Sequence, residues 1–177
     1  MLLMPESADV LAAPFSGTGE WLAALREVVI PVVEAFAPNV LVTQSGADSH
    51  HLDPLAHVET TIDVFPAMWA DLHALAHRVC EGRWVALGGG GYQPYAVVPR
   101  AWASLLAEML EEPVGGPLPE AWVAEATAAG GRGLPSGWLE DDAPLRATEP
   151  AARAREAAEL AIREARAAVF PHHGLRP

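Results

Sequence analysis

Between positions 48 and 57 the chain places Asp48, His50, His51, Asp53 and His57, three imidazoles and two carboxylates within ten residues. On composition alone such a set of donors suits Zn2+ or another divalent ion. Asp48 stands just past an apolar run and a glycine, Val40-Leu41-Val42-Thr43-Gln44-Ser45-Gly46-Ala47. An acidic side chain so placed can enter a pocket and there ligate a metal, orient a histidine or accept a hydrogen bond. The plainer alternative is that Asp48 caps the next turn and the histidines are polar groups on a loop surface. The second constellation is Gly88-Gly89-Gly90-Gly91-Tyr92. Consecutive glycines let the backbone approach another group closely. Their amides could cradle a phosphate, but the pattern is neither GxGxxG nor a P-loop, and no lysine follows. Tyr92 at the end of such a loop could instead give a hydrogen bond to a developing oxyanion. A tight strand-to-helix connection with a core tyrosine is the structural alternative.

The elements that would hold these residues follow from periodicity. Trp21, Leu22, Leu25, Val28, Val29, Val32, Val33 and Phe36 recur at three- and four-residue spacing, a helix with Thr18 or Gly19 as N-cap and a kink at Pro31. Val40 to Gln44 reads as a strand buried on both faces, followed by a polar loop from Ser49 to about Asp53. A second helix is predicted from about Thr60 to Glu81, with Met68, Trp69, Leu72, Leu75, Ala76 and Val79 on one face and Gly82 as its stop. Trp84 to Leu87 is a second buried strand, and a third helix, about Val98 to Glu111, turns Trp102, Leu105, Leu106 and Met109 inward. Helix, strand and glycine-bearing loop in repeated order predict a parallel α/β fold with its chemistry at the C-terminal ends of the strands. Val10 to Ala13 could form a fragment of strand. Residues 113–147 are rich in Gly and Pro, with Trp122 and Trp138 as anchors, and read as an irregular wrap. Residues 148–177 form a C-terminal helix and tail, capped by Thr148, with a thin packing stripe and i,i+4 pairs Arg155/Glu159 and Glu159/Arg163.

Composition narrows the function classes. The 177 residues carry 11 basic and 23 acidic side chains, a formal charge of −12, which speaks against a nucleic-acid groove. All the basic residues are arginine, so Schiff-base chemistry and a P-loop lysine are excluded. Cys80 is the only cysteine; no intrachain disulfide or thiolate metal cluster can form. Neither a signal-peptide pattern nor a membrane span is evident, and the expected location is the cytoplasm.

Taken together, Gly46-Ala47-Asp48-Ser49, Asp53-Pro54-Leu55 and Leu87-Gly88-Gly89-Gly90-Gly91-Tyr92 resemble the histone deacetylase family, most closely its bacterial acetoin-utilisation branch. The similarity runs over residues 14–112, including Pro14-Phe15-Ser16-Gly17-Thr18-Gly19-Glu20-Trp21 and Val98-Pro99-Arg100-Ala101-Trp102. The resemblance implies an arginase/deacetylase-type α/β fold and a Zn2+-dependent amidohydrolase acting on acetyl-lysine or a small acetyl-amide. It implies that Asp48 is one of three zinc ligands and that Tyr92 polarises the acetyl carbonyl and steadies the oxyanion. Leu55 would line the acyl-lysine tunnel, with Gly90 and Gly91 also at the substrate. Pro54 stands where some members carry an arginine used for inositol phosphate, so that regulation is not expected.

The family's other ligands, an Asp-x-His pair, and its tandem catalytic histidines precede this region. Upstream of Asp48 there is no histidine, and the one aspartate is Asp9. The resemblance therefore implies the C-terminal half of a deacetylase beginning at an internal Met, with the deacetylase-like α/β portion over 1–112. Zn2+ is not expected to bind this chain tightly, and the chain should be inactive alone or completed by a separate chain carrying the N-terminal half. Missing strands should expose a sheet edge and apolar faces. His50-His51, His57, His73 and His172-His173 are weaker candidates for catalysis or metal binding. A non-catalytic interaction module derived from the same fold is the alternative function.

Overall fold

The computed structural model describes residues 14–139 and 149–177; Val10 to Ala13 and the predicted cap Thr148 lie outside them. Helix α1 (Thr18–Ala24) is preceded by Gly17, whose extended backbone turns its N–H onto the Glu20 carboxylate at 3.0 Å. The N-cap is thus Gly17 rather than Thr18 or Gly19. Thr18 is used differently: its Oγ1 accepts the Thr61 N–H at 3.0 Å and ties the helix start to the segment that leads into the later helix Val64–Cys80. A π-turn, Leu25–Val29, carries α1 into α2 (Ile30–Phe36). The Ile30 N–H reaches back to the Leu25 carbonyl, and Pro31, which has no N–H to offer, follows directly. The kink predicted at Pro31 takes the form of a widened turn before it.

Strands β1 (Leu41–Ser45) and β2 (Trp84–Gly88) pair in parallel, with Leu41 opposite Trp84 and Ser45 opposite Gly88. The crossover between them contains α3 (Val64–Cys80), so the central unit is βαβ; α4 (Val98–Met109) follows β2. The expected α/β class is observed. On α3 the apolar positions recur at helical spacing, and Val64, Phe65, Trp69, Leu72, Leu75, Ala76 and Cys80 are buried. They meet Ala101 and Leu105 of α4, where the Trp69 indole N–H donates to the Ala101 carbonyl at 3.2 Å. Burial of side chains of the size of Phe65 or Leu75 contributes roughly 1.5–3 kcal/mol each.

One expectation about the strands fails. Leu41, Trp84 and Ala86 join the core, but Val42, Val85 and Leu87 on the opposite face are 59%, 48% and 54% exposed. The sheet is covered on one face only, because the described helices that pack against it share that side. Leu106, expected to turn inward, is exposed for a related reason: the α4 surface that meets α3 is carried by Ala101 and Leu105, and Leu106 points away. Trp102 lies between the two situations, packed on Gly88 with its indole N–H donating to the Ser45 carbonyl at 2.9 Å.

Beyond α4, the Gly/Pro-rich stretch contains a helix that its composition hides, α5 (Glu120–Ala128), held by a Pro117–Gly137 bridge. Arg100 anchors this region from inside α4. It is 2% exposed, gives Nε–H to the Ala96 carbonyl at 2.6 Å, and gives Nη1–H to the Trp138 carbonyl at 3.3 Å. The C-terminal helix α6 (Glu149–Val169) ends in a 3-10 turn, Phe170–His173. Its stripe is thin as expected: Ile162 and Phe170 meet Val28 of the π-turn. Arg155 reaches Glu20 of α1 at 3.3 Å, while Arg163 and Glu159 approach at 4.0 Å. Among the described residues no helix is long and apolar enough to cross a membrane.

Candidate functional site

The C-terminal ends of the two paired strands feed two loops that lock onto each other. From β1 the chain enters Gly46-Ala47-Asp48, and from β2 it enters Gly89-Gly90-Gly91-Tyr92. The Ala47 N–H donates to the Gly90 carbonyl at 2.7 Å, continuing the parallel pairing past the strands. Glycine is required here by contact. A Cβ on Gly90 would come within 2.6 Å of Asp48 Cγ and nearer still to Oδ2; one on Gly46 would lie 2.7 Å from Oδ1. The Asp48 carboxylate therefore occupies a slot between two glycine backbones. Gly91, at φ +145°, has a conformation that L side chains rarely adopt, and a Cβ there would meet Val98 at 2.7 Å.

Asp53 fixes the second relation between the loops. Its carboxylate is buried and accepts three backbone N–H groups: Leu55 at 2.9 Å and Ala56 at 3.2 Å on Oδ1, and Tyr92 at 2.9 Å on Oδ2. A charged acceptor bound by several amides is among the stronger hydrogen-bonding arrangements available to a chain. Asp53 thus turns its own loop and clamps the tyrosine backbone across to it. The sequence places Asp53 in the motif without a role for it; the Asp53-Pro54 dipeptide, which favours turn initiation, is the signal for the Asx turn that its carboxylate makes to the Leu55 N–H.

The segment between the two aspartates is not the solvated loop expected. His50 is fully buried, stacked on His51 with centroids 4.5 Å apart and lying near Phe65. Its Nδ1 accepts the Leu52 N–H at 3.2 Å, which places the ring proton on Nε2. Thr60 secures the same turn, donating through its backbone N–H to the Ser49 carbonyl at 3.2 Å and through Oγ1 at 2.9 Å. These bonds give His50 a place in the core, and the loop-surface reading fails for it. His57 is exposed, and His172 and His173 lie in the terminal 3-10 turn.

An open cleft of about 550 Å3 lies beside the strand ends, lined by Trp21, Thr43, Gly46, Asp48, Met68 and Gly90 among others. Asp48 and Gly90 meet in it. Leu55 and Tyr92 are not among its lining residues; they stand outside at 64% and 52% exposed. The core-tyrosine alternative is thereby excluded. Among the described residues no group of three or more His, Cys, Asp or Glu side chains is arranged to hold a metal ion. Asp48 offers one carboxylate, whereas a catalytic zinc site needs three protein ligands. The described residues alone do not fit that ion.

Known proteins are similar to this chain in sequence. The histone deacetylase domain family model matches residues 6–109. The acetoin utilization protein AcuC of Bacillus subtilis (strain 168) is 38% identical over 126 residues, covering 71% of this chain and 33% of that protein. The AcuC of Staphylococcus xylosus is 31% identical over 136 residues, covering 76% and 35%. The crystal structure of an HDA15 HD domain superposes with a TM-score of 0.48 at 23% identity, covering 56% of this chain and 27% of the other. The chain spans about a third of the length of the curated relatives it matches. With the family model covering more than half of its residues, the chain belongs to the histone deacetylase family.

Proposed function

We propose that this chain supplies one wall of a Zn2+-dependent deacetylase site, in which Asp48 is a metal-binding carboxylate and Tyr92 the hydroxyl that donates to the oxyanion formed from an acetyl-lysine or small acetyl-amide. The observation that carries this reading is the lock between the two loops. Asp48 sits in a slot that only glycines at 46 and 90 leave open, and the Tyr92 backbone is pinned through Asp53 to the same loop. A chain retaining only the fold has no need of a carboxylate-shaped gap at Gly90. Tyr92 has the exposure that a donor to a substrate requires, and a hydrogen bond given to a developing oxyanion is typically worth about 3 kcal/mol of barrier. Leu55, Gly90 and Gly91 would shape the approach of the acyl-lysine. The reaction is that of a cytoplasmic hydrolase.

The described residues give Asp48 no metal-binding neighbours, so on this reading they form one part of the site and do not complete it. The missing ligands and the general base come from residues outside this sequence, on the same polypeptide or on a separate chain. The test is complementation. The chain is co-expressed with the preceding segment of the Bacillus subtilis AcuC relative and assayed with Zn2+ on an acetyl-lysine peptide. Turnover should require both parts and be lost in Asp48→Asn and Tyr92→Phe. Turnover by the 177 residues alone would overturn the half-site reading. A stable complex with no turnover would favour a non-catalytic interaction module.

A further inference from the structure

On the flank of α3 that faces α4, two histidines one turn apart converge. His73 and His77 are spaced i,i+4, and their Nε2 atoms lie 3.1 Å from each other. Each ring is held by contacts of its own. The His73 Nδ1 bonds to the Glu108 carboxylate of α4 at 3.0 Å, and its ring leans on Trp84. The His77 ring lies over the α carbon of Gly82, where a Cβ would come within 2.9 Å of Cε1. Glycine at 82 therefore serves the imidazole as well as the helix end.

We propose that His73 and His77 form an exchangeable binding site for a borderline divalent metal ion such as Zn2+, separate from the Asp48 cleft. Two imidazole nitrogens bound tetrahedrally at about 2.05 Å stand roughly 3.3 Å apart. The observed 3.1 Å is within about 0.2 Å of that separation, so admitting the ion requires chiefly a rotation of the exposed His77 ring that turns its Nε2 from the His73 nitrogen to the ion. Glu108 completes the arrangement from behind. A carboxylate taking the Nδ1 proton of a ligating histidine fixes the tautomer that presents Nε2 to the metal.

The protons balance as follows. Where both rings are neutral, His73 gives its Nδ1–H to Glu108 and carries a lone pair on Nε2, to which His77 donates its Nε2–H. Binding breaks that N–H···N bond, and His77 takes its other neutral tautomer with the proton on Nδ1. From that neutral pair no proton is released, and both Nε2 lone pairs face the ion. The side chains of His73 and Glu108 are 18% and 28% exposed and His77 is open to solvent, so water can fill the remaining coordination positions. Two protein ligands make a weak, exchangeable site, in keeping with the absence of any three-residue cluster among the described residues. Arg78 and Arg83, close in sequence, are engaged by Glu34 at 2.9 Å and Glu81 at 3.0 Å, which tempers their repulsion of a cation.

The test is calorimetric titration with Zn2+ of the full chain carrying His172→Ala and His173→Ala, which removes the tail pair as a competing site. One ion should bind per chain. His77→Ala, at an exposed position, should weaken binding about tenfold or more with the helical circular dichroism unchanged, and Glu108→Gln by about tenfold. Asp48→Asn should leave the affinity unaltered, which separates this site from the proposed catalytic one. Nitrogen-resolved NMR of the imidazoles should show the His77 proton moving from Nε2 to Nδ1 as zinc is added. No binding by the parent, equal affinity in His77→Ala, or binding abolished by Asp48→Asn would each overturn the proposal.

Discussion

Replacing Gly90 by alanine examines the Asp48 slot without relying on activity. Gly90 is not among the glycines at positive φ, so the backbone accepts an alanine and the cost is steric. Its three nearest contacts would all be atoms of one side chain: Asp48 Oδ2, Cγ at 2.6 Å and Oδ1 at 3.1 Å. The carboxylate must leave its place or the two loops must separate, and overpacking of this kind costs about 1–3 kcal/mol. With a urea m-value of about 2 kcal/mol/M, the unfolding midpoint should fall by roughly 0.5–1.5 M. The sign should reverse once the obstacle is removed. In an Asp48→Ala background all three clashing atoms are gone, and Gly90→Ala should be neutral or should stabilise by about 0.4–1 kcal/mol through the unfolded chain. Gly89→Ala is the control, because its Cβ would meet the Gly46 backbone N at 2.7 Å, a clash that Asp48→Ala cannot relieve. Urea unfolding of the parent, the single variants and the two double variants closes the cycle. Additivity of Asp48→Ala and Gly90→Ala within about 0.5 kcal/mol would refute the slot.

Asp53→Ala leaves the N–H groups of Leu55, Ala56 and Tyr92 without their acceptor, and should cost about 3 kcal/mol in urea unfolding. Hydrogen exchange should show the Tyr92 amide losing protection most. Glu20→Ala removes both the acceptor for the Gly17 N–H and the partner of Arg155, and should lower stability by about 1 kcal/mol by the same measurement. The bare sheet face should drive self-association of the isolated chain. Sedimentation velocity should show concentration-dependent oligomers that Val42→Thr, Val85→Thr and Leu87→Thr together reduce, with little loss of stability because these side chains are exposed.

The pattern of what the sequence revealed has physical causes. Helix α3 was legible because its 3.6-residue repeat is carried by large side chains from Phe65 to Cys80 that have one place to go. Both strands were legible as apolar runs, but an apolar run does not say how many faces are covered, and Val42 and Leu87 look the same buried or bare. Helix α5 was hidden since its apolar content is mainly alanine and its flanks are Pro119 and Gly130-Gly131. That the Asp48 and Tyr92 loops belong to one site was suggested only by joining their two motifs, as each alone had a structural explanation; the close approach of Asp48 to Gly90 was not anticipated. The burial of His50 and Arg100 was not anticipated for a shared reason: polar side chains are counted as solvated until partners at hydrogen-bond distance appear, and the Trp138 carbonyl that receives Arg100 lies 38 residues away.

The role of Asp53 bears on what completing the site would demand. Two independent links hold the loops together, Ala47 N–H to the Gly90 carbonyl and Tyr92 N–H to the Asp53 carboxylate. Both lie wholly within this chain, and neither depends on the uncovered sheet face. The loop carrying Asp48 and the backbone of Tyr92 are therefore held in place by bonds within this chain. A complementing segment would need to dock on Val42, Val85 and Leu87 and bring its own ligands to Asp48, with no rearrangement of the glycine loop. The loss of activity in Asp53→Ala should accordingly appear mainly in kcat, since docking is left intact while the position of Tyr92 is released. A defect confined to association of the two parts would show instead that Asp53 serves the docking face and not the site.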